Sequence, residues 1–128
     1  MNLDPDMSPE SEEFEHLLGL HTIVEYIGAE REVIAHASAL EPILLEAVRV
    51  CGATYIDHRV NQFVPYGASG VVLIAESHIS FHSWPEHCYM AMDLFTCNLS
   101  MEASGAVQYV ADRIGAERFE SRVLKRGF

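Results

Sequence analysis

Apolar positions along the chain follow two rhythms. Leu20 to Ile27 is rich in β-branched and aromatic residues and predicts a strand. Leu40 to Val50 repeats apolar residues at Leu40, Ile43, Leu44, Ala47 and Val50, with Pro42 early and Gly52 beyond the end, which predicts a helix. Thr54 to Val64 alternates loosely as a strand does, and Pro65 to Gly70 has the composition of a turn-rich loop. The run Val71 to Ala75 predicts a buried strand. Ser77 to Trp84 predicts a second strand, with Ser77, Ile79 and Phe81 on one face and His78, Ser80 and His82 on the other. Cys88 to Thr96 is a further strand, Glu102 to Ile114 a helix closed by Gly115, and Arg118 to Leu124 a short last strand. Neighbouring strands joined by tight loops pair antiparallel, and two helices are enough to cover one side of such a sheet. The expected fold is therefore α+β, a two-layer sandwich with a mainly antiparallel sheet and two helices on one face.

Composition narrows this picture. A chain of 128 residues is most simply one domain able to bury a core without staples. Its net charge of −11 argues against nucleic acid, whose phosphates need clustered Lys and Arg. Much of the acid lies in Asp4, Asp6, Glu10, Glu12, Glu13 and Glu15, so residues 1–18 are read as an acidic, disordered tail before a single domain at 19–128. No apolar run is long enough to span a membrane, and the first residues lack the features of a secretion signal. The expected setting is the cytoplasm, with Cys51, Cys88 and Cys97 as reduced thiols.

The chemistry gathers in Ile74 to His87, where Glu76, Ser77, His78, His82 and Glu86 interrupt strand-forming sequence. A single metal ion is a poor explanation: four strand residues between His78 and His82 span about 13 Å, too far for both rings to reach one ion. A serine hydrolase needs a sharp elbow of the G-x-S-x-G type, and neither Ser77 nor Ser69 lies in one, although a triad assembled by the fold stays open. Each polar residue taken alone also fits a solvent-facing strand surface.

The spacing of the whole set says more. Glu76-Ser77-His78, His82 five positions after the serine, Trp84-Pro85-Glu86 and Asp93-Leu94-Phe95-Thr96-Cys97 together resemble the pyruvoyl-dependent S-adenosylmethionine decarboxylases of prokaryotic type. Ser69-Gly70-Val71-Val72, the ending Lys125-Arg126-Gly127 and the order of elements from Gly19 onward are similar to the same family. Decarboxylation of an α-amino acid derivative needs an electron sink that no ordinary side chain supplies. The resemblance implies that Ser77 becomes one. Its hydroxyl attacks the carbonyl carbon of Glu76, the amide becomes an ester, and β-elimination breaks the chain and leaves dehydroalanine. Hydrolysis then releases ammonia. The products are a β chain of residues 1–76 and an α chain capped by a pyruvoyl group, which holds the substrate amine as a Schiff base without metal or pyridoxal phosphate.

By the same resemblance His82 is the proton acceptor in processing, Ser69 its helper and Cys97 the proton donor in turnover. Phe63, Trp84 and Glu86 match substrate contacts; aromatic faces suit a sulfonium and an adenine, and a carboxylate suits ribose hydroxyls. The substrate is then S-adenosylmethionine, and its decarboxylated product is the aminopropyl donor for spermidine. The assembly is a homodimer of cleaved protomers with sites near the interface. Asn98 after Cys97, Cys88 and Met90 depart from the family pattern, with Asn98 and Met90 expected near the pocket. Relatives on the same fold that decarboxylate ornithine or arginine form the alternative. A non-catalytic paralogue would lack Ser77, His82 or Cys97, and all three are here.

Overall fold

The computed structural model describes residues 13–128. The chain runs through β1 (Leu17–Ile27), a one-turn helix α1 (Arg31–Ile34), α2 (Ala37–Val50), β2 (Tyr55–Gln62), β3 (Ala68–Ile74) and β4 (Ser77–Trp84). A 3-10 turn (Pro85–His87), β5 (Tyr89–Thr96), α3 (Ser104–Arg113) and β6 (Arg118–Gly127) complete it. The strands form one sheet in the order β2-β3-β4-β5-β1-β6, with every neighbouring pair antiparallel. The longer helices lie together on one face, giving the expected two-layer α+β sandwich.

Period-two patterning builds that core. On β4, Ile79, Phe81 and Ser83 are buried toward the helices; on β5, Met90, Met92 and Leu94 do the same, and on β1, Thr22, Val24 and Tyr26. Leu40, Ile43, Leu44, Ala47 and Val48 of α2 and Ala106, Val107, Val110 and Ala111 of α3 meet them. Each large side chain so enclosed contributes about 1.5–3 kcal/mol of burial. The Tyr26 hydroxyl donates to the Val107 carbonyl at 2.8 Å, tying β1 to α3, and burial pushes this phenol far above its ordinary pKa. Among the described residues no helix lies over the opposite face of the sheet, where charge, imidazole and apolar side chains alternate, many of them half-buried.

Three boundaries and one burial expectation differ from the sequence reading in ways that have a local reason. The first strand starts at Leu17, inside the stretch read as tail, because the backbone of His16 exchanges hydrogen bonds with Phe128 and draws the start of β1 onto β6. The remainder of that stretch, residues 1–12, lies outside the described residues. The last strand runs to Gly127 rather than Leu124, since β1 offers it a partner along that length. The loop read as Pro65 to Gly70 gives way to β3 at Ala68. Gly70 is not a turn residue but a strand position facing Phe81, where an added Cβ would stand 2.6 Å from Phe81 Cε1. Nor is Val71 to Ala75 buried throughout: Leu73 is 47% exposed on the open face.

Candidate active site

The β3–β4 hairpin closes through Ala75-Glu76, a two-residue connection. Such turns favour positive φ in the loop itself, usually on Gly or Asn. Here the loop has neither, and the positive φ falls one residue later, on Ser77 at 153°. For a side chain with a Cβ this backbone is strained, by about 1–3 kcal/mol. It also has a chemical consequence. In an L-residue Cβ is offset by about 120° from the backbone carbonyl carbon around N–Cα, so the Glu76 carbonyl carbon and Ser77 Cβ stand only roughly 30° apart in torsion. A five-membered ring of that carbon with N, Cα, Cβ and Oγ requires a small torsion. Ordinary strand backbone sets it at about 100–120° and keeps the hydroxyl out of reach.

The rest of the junction is pinned. The Cys97 amide, just past the end of β5, donates to the Glu76 carbonyl oxygen at 2.8 Å. That places a backbone donor on the oxygen that would gain charge when its carbon is attacked. The Glu76 carboxylate accepts from the Thr54 amide at 2.9 Å and the Thr54 hydroxyl at 3.1 Å, and the Thr54 amide holds this carboxyl below the usual carboxylate range. The Ala75 amide donates to the Thr54 carbonyl at 2.8 Å. Glu76 and Ser77 at the start of β4 and Cys97 just past the end of β5 are thus brought together by the antiparallel pairing of two consecutive strands.

Beside them on the open face lies a cluster that spacing did not reveal. His21 on β1, His78 on β4 and Asp93 on β5 converge, with one ligand-type atom from each lying within 4.8 Å of the others. Asp93 Oδ2 meets His21 Nε2 at 2.6 Å and His78 Nε2 at 3.2 Å, and Asp93 Oδ1 accepts from the Ser80 hydroxyl. Burial pushes the Asp93 carboxyl up, but hydrogen bonds from Ser80, His21 and His78 outweigh it and hold it below its ordinary value. Phe95 packs against both rings, parallel to His78 at 5.9 Å and edge-on to His21 at 5.4 Å. Asp93 stood in the quoted motif without a role and His21 in a plain strand. What joins them is cross-strand register, His21 opposite Phe95 and Phe95 opposite His78, which spacing along one strand does not carry.

A second group sits at the other end of β4. His82 is directly opposite Ser69 on β3, stacks on Trp84 at 4.0 Å and on Phe63 at 5.3 Å, and so joins three of the expected residues into one aromatic platform. Glu86 follows on the exposed 3-10 turn. This group does not meet Ser77 within one chain. Five strand residues separate His82 from Ser77 by about 16 Å. Met90, expected near the pocket, is fully buried on the helix side, because its parity on β5 points it away from the open face. Asn98 is absorbed by its own loop, its side-chain oxygen accepting from the Ser100 amide at 3.1 Å and hydroxyl at 2.8 Å. Cys88 takes up a left-handed backbone at φ 49°, a conformation that favours glycine.

A two-layer α+β domain with a strained Glu-Ser hairpin junction, a donor on its carbonyl oxygen and an adjacent cysteine defines a class of chain that carries the groups an internal acyl transfer would need. Residues 20–127 match the family model for S-adenosylmethionine decarboxylase. A S-adenosylmethionine decarboxylase proenzyme of Persephonella marina is 37% identical over 88% of this chain and 85% of its own length. One from Thermococcus onnurineus is 39% identical over 86% of this chain and 78% of its own. The crystal structure of the adenosylmethionine decarboxylase from Aquifex aeolicus superposes with a TM-score of 0.81 at 36% identity, covering 88% of this chain and 92% of that one. The chain belongs to the S-adenosylmethionine decarboxylase family. No helix among the described residues is long and apolar enough to cross a membrane.

Proposed function

We propose that this chain is a self-processing S-adenosylmethionine decarboxylase, cleaved between Glu76 and Ser77 and active through a pyruvoyl group made from Ser77. The observation that carries the reading is the junction itself: φ of 153° at Ser77 sets the hydroxyl for ring closure onto the Glu76 carbonyl carbon, whose oxygen already accepts from the Cys97 amide. The pyruvoyl group supplies the electron sink for loss of carbon dioxide. Cys97, exposed beside the new N-terminus, is the acid that returns a proton to the substrate Cα. Neither metal nor pyridoxal phosphate enters this chemistry.

Ser69, His82, Phe63, Trp84 and Glu86 form the complementary half of the site. Because their own Ser77 is about 16 Å away along the strand, they serve the Ser77 of a second copy. Two open faces laid together about a two-fold axis, with their strands running oppositely, put the Ser77 end of one β4 over the His82 end of the other. The half-exposed Leu73 and the half-buried Ile23, Val71 and Phe95 supply apolar cover for that contact. In the dimer His82 serves as proton acceptor in processing with Ser69 beside it. Phe63 and Trp84 receive the sulfonium and adenine, and Glu86 the ribose hydroxyls. Three free thiols fit a reducing, cytoplasmic setting. The purified chain should resolve by intact mass into residues 1–76 and a blocked chain from position 77, and should release carbon dioxide from carboxyl-labelled S-adenosylmethionine. Release from ornithine or arginine alone would overturn the substrate assignment, and a chain that stays whole at 14.3 kDa would overturn the cleavage.

A further inference from the structure

Processing moves two different protons, and the residues assigned so far provide for only one transfer. The Ser77 hydroxyl must lose its proton as Oγ attacks Glu76, before any Cα proton leaves. Among the described residues one nitrogen is in place for that. His78 Nδ1 lies 3.5 Å from Ser77 Oγ, the outer limit of a hydrogen bond, because the positive φ at Ser77 swings its hydroxyl toward the following ring. The other nitrogen of the same ring, Nε2, faces Asp93 Oδ2 at 3.2 Å. Asp93 can only accept while ionised, so Nε2 carries the ring proton and Nδ1 presents a lone pair to the serine. This has the order of a serine, histidine and aspartate relay, recognised by geometry rather than by sequence position.

The neighbours support that assignment over a metal site in the same cluster. Arg126 Nη1 lies 3.2 Å from His21 Nδ1, and an arginine can only donate. His21 Nδ1 therefore accepts, the His21 proton sits on Nε2, and that proton points at Asp93 Oδ2 at 2.6 Å. Asp93 thus receives protons from both rings and from Ser80, and the nitrogens a cation would need are already donors. Arg126, 5.6 Å from the Phe95 centroid, adds a fixed positive charge beside the cluster.

We propose that His78 is a catalytic residue of self-processing, the base for the first step, with Asp93, His21 and Arg126 as positioning residues. This rests on the cleavage reading above. The Ser77 Oγ proton passes to His78 Nδ1 as the Oγ–carbonyl carbon bond forms, and the oxygen charge rests on the Cys97 amide. Collapse breaks the bond from the Glu76 carbonyl carbon to the Ser77 nitrogen, which takes the proton back from His78 Nδ1 and leaves as an amine. The product is the ester. Elimination, which takes the Cα proton, is left to His82 of the second copy.

Hydroxylamine tests the step, because it cuts the ester and leaves the amide intact. His78→Gln should slow appearance of the two chains roughly 100-fold or more, with the whole chain resistant to hydroxylamine, and added imidazole should restore cleavage to His78→Ala. That rescue requires a folded protein and would not follow from a purely structural role. His82→Ala should instead accumulate a hydroxylamine-labile chain. Cleavage of His78→Gln and His78→Ala at the wild-type rate, or build-up of ester in either, would overturn the proposal. A wild-type chain that never cleaves would overturn the processing reading beneath it, a different and separable result.

Discussion

Replacing Ser77 by alanine and by glycine isolates the backbone from the chemistry. Neither variant has a hydroxyl, so both remain whole and their unfolding can be measured at equilibrium and fixed protein concentration. In an ordinary strand glycine is the weaker residue by about 0.5–1 kcal/mol, because it loses more freedom on folding. At position 77 the order should invert. With φ at 153°, alanine keeps a strain of about 1–3 kcal/mol that glycine escapes. Glycine's entropic cost offsets about 0.4–1 kcal/mol of this. The net expectation is Ser77→Gly more stable than Ser77→Ala by about 1 kcal/mol, or about 3–5 °C in melting temperature for a domain of this size. Denaturant titration followed by circular dichroism reads the difference directly. Alanine equal to or more stable than glycine would refute the strained junction, and with it the ring-closure geometry on which processing is argued.

Further expectations concern the surroundings. Gly70→Ala should lose about 2 kcal/mol, because the new Cβ meets Phe81 Cε1 at 2.6 Å and the Arg59 carbonyl oxygen at 2.8 Å; thermal unfolding checks it, and an unchanged melt would remove the close approach as the reason for glycine. Cys97→Ala should still cleave, since its amide rather than its thiol holds the Glu76 carbonyl, yet lose carbon dioxide release by roughly 100-fold or more; gels and labelled-substrate assay separate the two. The Asp93 carboxyl lies below its ordinary value in the folded chain, so its contribution is present in full above the unfolded value of about 3.9 and is lost as pH falls through the folded one. Asp93→Asn should therefore flatten the acid limb of stability against pH, and an unchanged limb would contradict the lowered carboxyl.

Patterning along one strand or helix set a good part of this molecule from the sequence. Ser77 to Trp84 is β4 as read, with Ile79 and Phe81 inward and His78, Ser80 and His82 outward, because side-chain parity is a property of the strand itself. The apolar spacing of α2 and the α+β layering followed from the same local rule, and the Glu76-Ser77 motif was legible because its residues are close in sequence. What the tertiary structure decided is everything that depends on register between strands. It placed the Cys97 amide on the Glu76 carbonyl, gathered His21, His78 and Asp93 from three strands, and turned Gly70 from a loop residue into a site for Phe81. It also divided the expected site into two groups at opposite ends of β4. Residues adjacent in a motif alternate faces and move about 3.3 Å apart per step on a strand, so one-dimensional proximity cannot say which of them share a pocket.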